Sequence, residues 1–376
     1  MFTHHQTTQF RLGISRVFAA AMLLLMGPFP VLAQEPPEGA AASANEFSVD
    51  LYQAVREQEP NIIISPYSAH TVLSLLFGGA RGTTAEEMAT VLHLDADDPG
   101  VLDDLVELQR FLERVGREGA AELAIANGIW PEQGARIKPN FLELVEGFGT
   151  ELRGVNYSEA QETKAQIDTW AAEKTNGRIN EIITWDLHPA THLLLTNAVY
   201  FKGTWITQFD PELTEDELFT NLDGSSGRAS MMHREDVHDF YEDEQLQAVR
   251  LPYVGHDVSM LVLLPRATGG IEALESNLSV PRIEAVLGEM SPELVALALP
   301  SFELLSTFKG LKDTLREMGM IAATAPETAD FSGVAEPRNW VWLARAVQRA
   351  YVNVNEEGTE AAAVTVAGCF PAGTPV

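Results

Sequence analysis

Residues 356–370 read Glu-Glu-Gly-Thr-Glu-Ala-Ala-Ala-Val-Thr-Val-Ala-Gly-Cys-Phe, and small residues alternate along this stretch. Successive side chains of a β-strand point to opposite faces, so every second residue shares a face. In an extended chain, one face would therefore carry only small uncharged side chains, those of Thr359, Ala361, Ala363 and Thr365.

The opposite face of the same stretch would carry one charged residue, Glu360, followed by apolar ones. Gly358 lies at the base, where a residue without Cβ leaves the backbone unrestricted. An alanine-rich stretch near a chain end is also typical of a frayed tail. The alternation favours a loop that can become a β-strand with one face buried.

Outward from this stretch, helical and strand patterns are mixed. The run 61–64 precedes Ser65-Pro66, a typical N-cap and first-turn proline. Thr84 and Glu87 have the spacing of a capping box. Strand patterns occupy 123–130, 193–201, 249–264 and 340–355, and helical patterns occupy 139–148, 159–174 and 308–318. Because helices come early and strands late, the pattern predicts an α+β fold.

The composition excludes several classes of function. The 376 residues are 45% hydrophobic and carry a formal net charge of −29. Such a surface repels phosphate backbones and anionic lipid, so neither nucleic acid nor a membrane is an expected partner. Cys369 is the single cysteine, so no intrachain disulfide can form.

The N-terminus has the organisation of a secretory signal peptide. Arg11 and Arg16 precede the apolar run Val17–Met26, and small residues end at Ala33. Ten apolar residues are too few to span roughly 30 Å of hydrocarbon. We predict a signal peptide over 1–33, cleaved near Ala33, a flexible lead-in over 34–44 and a single domain over 45–376. The protein would then be extracellular or periplasmic.

No stretch of the sequence indicates catalysis. The chain has no Gly-x-Ser-x-Gly nucleophile elbow, no zinc-protease helix, no Walker-type phosphate loop and no Cys-x-x-Cys pair. Its carboxylates are too numerous for any one pair to be singled out. We therefore expect a protein that is not an enzyme and that needs neither a metal nor another cofactor.

Taken together, the motifs resemble those of the serpin family, in that family's order and over about residues 45–376. Residues 356–363 look like the hinge of its reactive-centre loop, 196–205 like its central strand and 61–68 like the opening of its second helix. The motifs at 251–265, 299–302 and 329–333 follow in the same order.

The resemblance implies a fold of helices packed around large mixed and antiparallel β-sheets, with an exposed reactive-centre loop. It also implies a suicide inhibitor of serine or cysteine proteases. In that mechanism the protease cleaves the loop, the loop inserts into the large sheet as a new strand, and the acylated protease is trapped by the strain released.

The resemblance further assigns roles to individual residues. The hinge comprises Glu357, Gly358, Thr359, Glu360, Ala361, Ala362 and Ala363. A polar latch where the sheet opens comprises Ser65, Ser68, Asn197 and Gln348, with Gln348 in place of the family's usual histidine. Trp205 matches the aromatic residue of the breach, the end of the sheet where insertion begins.

Counting along the hinge places the scissile bond at Ala372–Gly373, with Phe370 as the alternative residue before the bond. Alanine suits an elastase-like protease and phenylalanine a chymotrypsin-like one. Cys369 lies in the loop, where its thiol could be exposed and reactive or simply a small apolar group.

Family members continue into three further strands, so the resemblance implies a domain without those strands and a monomer when they are present. No basic cluster suggests heparin binding. Two other hypotheses stay open: a non-inhibitory binding or storage protein on the same fold, or an inactive fragment.

Overall fold

The computed structural model describes residues 8–11, 14–15, 36–336 and 341–370. The helices in these ranges are α1 Glu38–Val55, α2 Pro66–Phe77, α3 Gly82–Val91, α4 Val101–Glu118, α5 Pro139–Gly147, α6 Ala160–Lys174, α7 Ile271–Ser276, α8 Val280–Glu289 and α9 Leu311–Glu317. The strands are β1 Thr8–Arg11, β2 Ile14–Ser15, β3 Glu122–Pro131, β4 Glu151–Leu152, β5 Leu193–Thr204, β6 Glu215–Asn221, β7 Ser226–Glu242, β8 Leu246–Pro252, β9 Ser259–Pro265, β10 Ser291–Pro300, β11 Phe302–Phe308, β12 Trp342–Val354 and β13 Gly358–Phe370.

Two sheets organise the described residues. The six-stranded sheet has the order β11-β12-β13-β5-β3-β4. All its pairs are antiparallel except β3 with β4. The seven-stranded sheet has the order β1-β10-β7-β6-β2, with β8 on β7 and β9 on β8. Helices and mixed or antiparallel sheets together confirm the α+β fold.

The six-stranded sheet has a hydrophobic core on each face. On one face it packs against α1, α2 and α4, with Phe47, Leu75 and Phe111 fully buried. On the other face a second core forms around α6, with Trp170 and Tyr157 buried. This double burial explains the apolar character of the central strands, because neither face meets water.

Next to the first core lies a cavity of about 950 Å³. α1, β9 and the extended residues Ile62–Ser65 line it, together with the inner faces of β5 and β13. Within the described residues β9 pairs only with β8, and its residues Ser259 to Leu263 line this cavity.

The predicted strands at 123–130, 193–201 and 249–264 are confirmed, as are the described part of 340–355, which forms β12, and the helices at 139–148 and 159–174. The third helical pattern is confirmed over α9 alone, because residues 302–308 form β11. The flexible lead-in is wrong beyond residue 37: α1 begins at Glu38, and Ala40 and Ala44 are buried in the core. No described helix is long and apolar enough to cross a membrane. Most of the predicted signal peptide lies outside the described residues.

Candidate functional site

The predicted hinge and loop form β13, a strand in the middle of the six-stranded sheet. Gly358 to Cys369 pair with Thr204 to Leu193 on β5, and the other edge of β13 pairs with β12. The expectation of an exposed loop is therefore wrong for residues 358–370, because this segment lies in the sheet between β12 and β5. The physical reason is that insertion satisfies the backbone groups of both strand edges at once.

Both faces of β13 are buried, whereas the sequence predicted one buried face. Ala363 and Cys369 contact the first core, as predicted for the face of small residues. Val364 and Val366 belong to the second core, which also contains Ile167 of α6. The second face is buried because α6 and the segment after it cover this side of the sheet.

Gly358 is required by the close approach of β5. A Cβ atom built on Gly358 would lie 2.0 Å from the carbonyl oxygen of Gly203. Any side chain here would push the two strands apart at the point where β13 enters the sheet.

Trp205, the residue expected at the breach, lies beside the turn that precedes β13. Its indole Nε1 donates to the carbonyl oxygen of Asn355 at 2.9 Å, and its backbone N donates to that of Glu357 at 2.9 Å. The indole also stacks on Tyr253, with ring centroids 4.6 Å apart. Trp205 therefore holds the turn that leads from β12 into β13.

Thr359, the first hinge residue with a side chain inside the sheet, is 5% exposed. Its Oγ1 accepts a hydrogen bond from the hydroxyl of Tyr253 at 2.8 Å. Burial raises the pKa of Tyr253, so this hydroxyl remains a donor at any physiological pH. Sequence reasoning missed Tyr253, although it stands in the quoted 251–265 motif.

Glu360 does not face solvent freely, contrary to the face predicted for it. Its carboxylate accepts from the hydroxyl of Tyr200 at 2.8 Å and forms an ion pair with Arg178. Burial acts to raise the pKa of Glu360, but the hydrogen bonds from Arg178 and Tyr200 prevail and lower it.

The predicted latch is assembled around Thr365, which the sequence reasoning had not singled out. Gln348 Oε1 accepts from the backbone N of Ser65 at 2.7 Å, and Gln348 Nε2 donates to the Ser65 carbonyl oxygen and to Thr365 Oγ1, both at 2.8 Å. Ser68 Oγ lies 2.9 Å from the same Thr365 oxygen. A polar residue among alanines on a buried face was the available signal, because such a residue needs a partner.

Asn197 is the latch residue that the structure separates from the others. Asn197 lies on β5, opposite Thr365 of β13, but its Nδ2 donates to Asn127 Oδ1 at 2.7 Å. Ser65 occupies the N-cap of α2 without capping it: its hydroxyl has no hydrogen-bond partner among the described residues. Of the residues expected in the latch, the hydrogen-bond network around Thr365 therefore contains Gln348, the backbone of Ser65 and the side chain of Ser68.

We expect Gln348→Met to lower the free energy of unfolding by about 2 kcal/mol, because the buried N–H of Ser65 loses its acceptor. Urea denaturation measures the change, with Gln133→Met as the control on an exposed glutamine. Since glutamine does not titrate, the loss should be the same at pH 5.5 and pH 8. Equal stability of Gln348→Met and the control would contradict this assignment.

A second buried polar residue, His70, lies on α2, the helix that also carries Ser68. His70 Nε2 lies 2.9 Å from Ser43 Oγ. Because the Ser43 hydroxyl donates its hydrogen to the Leu92 carbonyl oxygen at 2.7 Å, the imidazole is the donor to Ser43. Burial lowers the pKa of His70 from 6.5 to about 4. The folded protein therefore binds this proton less readily than the unfolded chain does.

His70 should make the fold sensitive to acid. Its contribution is complete above pH 6.5 and is lost as the pH falls from 6.5 towards 4, by about 3 kcal/mol, at 1.36 kcal/mol per pH unit. Urea denaturation of the wild type and of His70→Gln, at pH 7.5 and pH 4, measures the difference. If the gap between the two proteins stays constant with pH, His70 does not titrate between the states as described.

The predicted scissile bond, Ala372–Gly373, lies outside the described residues. Phe370, the alternative, pairs with Trp342 as the last residue of β13. Cys369 is fully buried, and burial raises the pKa of its thiol to about 12. The small apolar role considered for Cys369 is the one that this structure shows.

The comparisons with known proteins agree with this geometry. The family model described as Serpin (serine protease inhibitor) matches residues 42–375. An uncharacterized serpin-like protein of Thermococcus kodakarensis is 36% identical, covering 90% of this chain and 78% of the relative. The leukocyte elastase inhibitor of Xenopus laevis is 32% identical, covering 87% of this chain and 89% of the relative.

Among solved structures, Cleaved Serpin 42Da matches with a TM-score of 0.82 at 28% identity, covering 89% of this chain and 91% of that one. That protein is named as a cleaved form, and in the present chain residues 358–370 form the central strand β13. The family match spans most of the chain, and the curated relatives share about a third of its residues. The chain therefore belongs to the serpin family.

Proposed function

We propose that this protein inhibits serine proteases as a suicide substrate whose loop inserts into the six-stranded sheet after cleavage. The observation that supports this most directly is the fit of β13. Its small side chains allow residues 358–370 to occupy a central position, paired on both edges and buried on both faces.

The energy for trapping a protease comes from this fit. An exposed loop leaves its backbone groups to water and its alanines and valines unburied, whereas β13 pairs and buries them. Burial of apolar area is worth roughly 25 cal/mol per Å², so a strand of this length contributes many kcal/mol even after its entropy cost. The non-inhibitory alternative has no comparable need for a hinge of small residues.

The proposed target is a protease with a small specificity pocket. Pairing in β13 extends to Phe370, its last residue, so neither candidate bond, after Phe370 or at Ala372–Gly373, would interrupt the paired strand. The Xenopus relative is named an elastase inhibitor, which fits alanine before the scissile bond.

We also propose that the protein is exported, because residues 11–33 have the organisation of a signal peptide.

Incubation with elastase, chymotrypsin, trypsin and a cysteine protease tests the proposal. We expect a complex with elastase that survives denaturing electrophoresis, with mass spectrometry of the released peptide identifying Gly373 as its first residue. Ala372→Arg is the specificity control and should move complex formation to trypsin. If every protease cleaves the loop and leaves free, the inhibitory function is wrong.

A further inference from the structure

The second face of β13 carries a contact that the latch and breach do not explain. Glu360 is the one charged residue of β13, and its side chain is 16% exposed. Tyr200 and Arg178 approach its two carboxylate oxygens from different elements: β5 and the segment after α6.

We propose that Arg178 and Tyr200 form a clamp that closes on Glu360 only when β13 is inserted, which makes Glu360 a positioning residue for insertion. This inference rests on the proposed function, because it concerns the step that traps the protease. The clamp is charge-assisted, and such hydrogen bonds are about twice as strong as neutral ones.

Arg178 is held ready for this contact by the turn that ends α6. Asn176 and Gly177 adopt φ angles of +48° and +76°, which reverse the chain directly after the helix. Thr175 Oγ1 donates to the Ala171 carbonyl oxygen at 2.8 Å and accepts from the backbone N of Ile179 at 3.1 Å, which fixes both sides of the turn. The backbone that carries Arg178 therefore needs little ordering when the glutamate arrives.

The guanidinium also lies over an aromatic ring, 5.4 Å from the centroid of Tyr351 on β12. Tyr351 and Tyr200 are the two residues that flank Ala362 in register, one on each side of β13. The clamp thus joins the α6 turn to three adjacent strands. Without β13 between them, Arg178 and Tyr200 lose the carboxylate that connects them.

The position of Glu360 gives the clamp its consequence for the reaction. Glu360 lies two residues after Gly358, the point where β13 enters the sheet, so it is among the first residues to insert. Lys202, its register partner on β5, adds a second positive charge on this side. A contact made this early stabilises the partly inserted strand and shortens the time in which water can release the acylated protease.

Amide hydrogen exchange tests the clamp without requiring protease inhibition. In the full chain, Glu360→Gln and Arg178→Gln should each make the amides of residues 358–363 exchange about tenfold faster. The double variant should exchange no faster than either single one, since each substitution removes the same contact. Glu303→Gln is the matched control, because that exposed carboxylate lies on β11 of the same sheet, which does not pair with β13, and its exchange should equal the wild type.

The second readout is the number of inhibitor molecules consumed per protease inactivated, which a merely structural loss would leave unchanged. We expect it to rise several-fold in both clamp variants and not in Glu303→Gln. The clamp would be overturned if the exchange rates of the variants were unchanged or additive. It would also be overturned if the wild type inhibits a protease and the clamp variants show the same stoichiometry as the wild type. If the wild type inhibits no protease but the exchange rates change as expected, the proposed function fails and the contact stands.

Discussion

Thr359→Arg is expected to turn the inhibitor into a substrate, raising the number of molecules consumed per protease inactivated by at least tenfold. Before insertion this side chain would stay in water, where an arginine costs little. After insertion Thr359 is 5% exposed, and its hydroxyl is bound to Tyr253, a residue that also packs edge-on against Phe201 at 5.0 Å.

An arginine at position 359 cannot be accommodated without loss. Its guanidinium would replace a small hydroxyl that is bonded to the Tyr253 hydroxyl, at a position on the cavity wall that is only 5% exposed. Burying an unpaired charge costs several kcal/mol even after relaxation. Because each 1.4 kcal/mol added to the insertion barrier slows that step about tenfold, deacylation by water would overtake insertion.

The control for this prediction is Glu357→Arg. It introduces the same side chain two residues earlier, where the native side chain is exposed and only the backbone contacts Trp205. Glu360→Arg would be a poor control, because it would place a second cation beside Arg178. Titration of a fixed amount of protease gives the stoichiometry for all three proteins. Equal values for Thr359→Arg and the wild type would show that residue 359 does not insert.

The strand β13 could be predicted from the sequence because the pattern that indicates it lies within the strand itself. Alternation over Thr359, Ala361 and Ala363 fixes which side chains share a face, whatever the strand pairs with. The same locality explains the success at β3 and β5, where runs of apolar and β-branched residues are typical of central strands.

What could not be predicted depends on partners far along the chain. Thr84 and Glu87 have capping-box spacing, yet Thr84 Oγ1 accepts from the backbone N of Asp330, and Glu87 accepts from that of Ala322. Glu360 reads as a solvated residue until the turn at Arg178, 182 positions earlier, is placed against it. Tertiary contacts of this kind leave no periodic trace in the sequence.

The inserted strand also places Cys369 where its chemistry reports on the state of the loop. Cys369 pairs with Leu193 on β5 and is fully buried. Only a thiolate reacts rapidly with alkylating reagents, and burial raises the pKa of this thiol to about 12. In an exposed loop the same thiol would have an ordinary pKa of about 8.5 and free access to solvent.

Cys369 should therefore be alkylated by iodoacetamide at least ~10³-fold more slowly at pH 8 with the strand inserted than with the loop exposed, from the thiolate fraction alone. Because it is the single cysteine, mass spectrometry of the intact protein follows one site. Urea-unfolded protein supplies the rate of the accessible thiol, and Cys369→Ala should acquire no label. Protein with an exposed loop should react rapidly and become protected once a protease has cleaved it. Rapid labelling of folded, loop-cleaved protein would mean that the strand stops short of residue 369, and the energy available for trapping a protease would shrink with it.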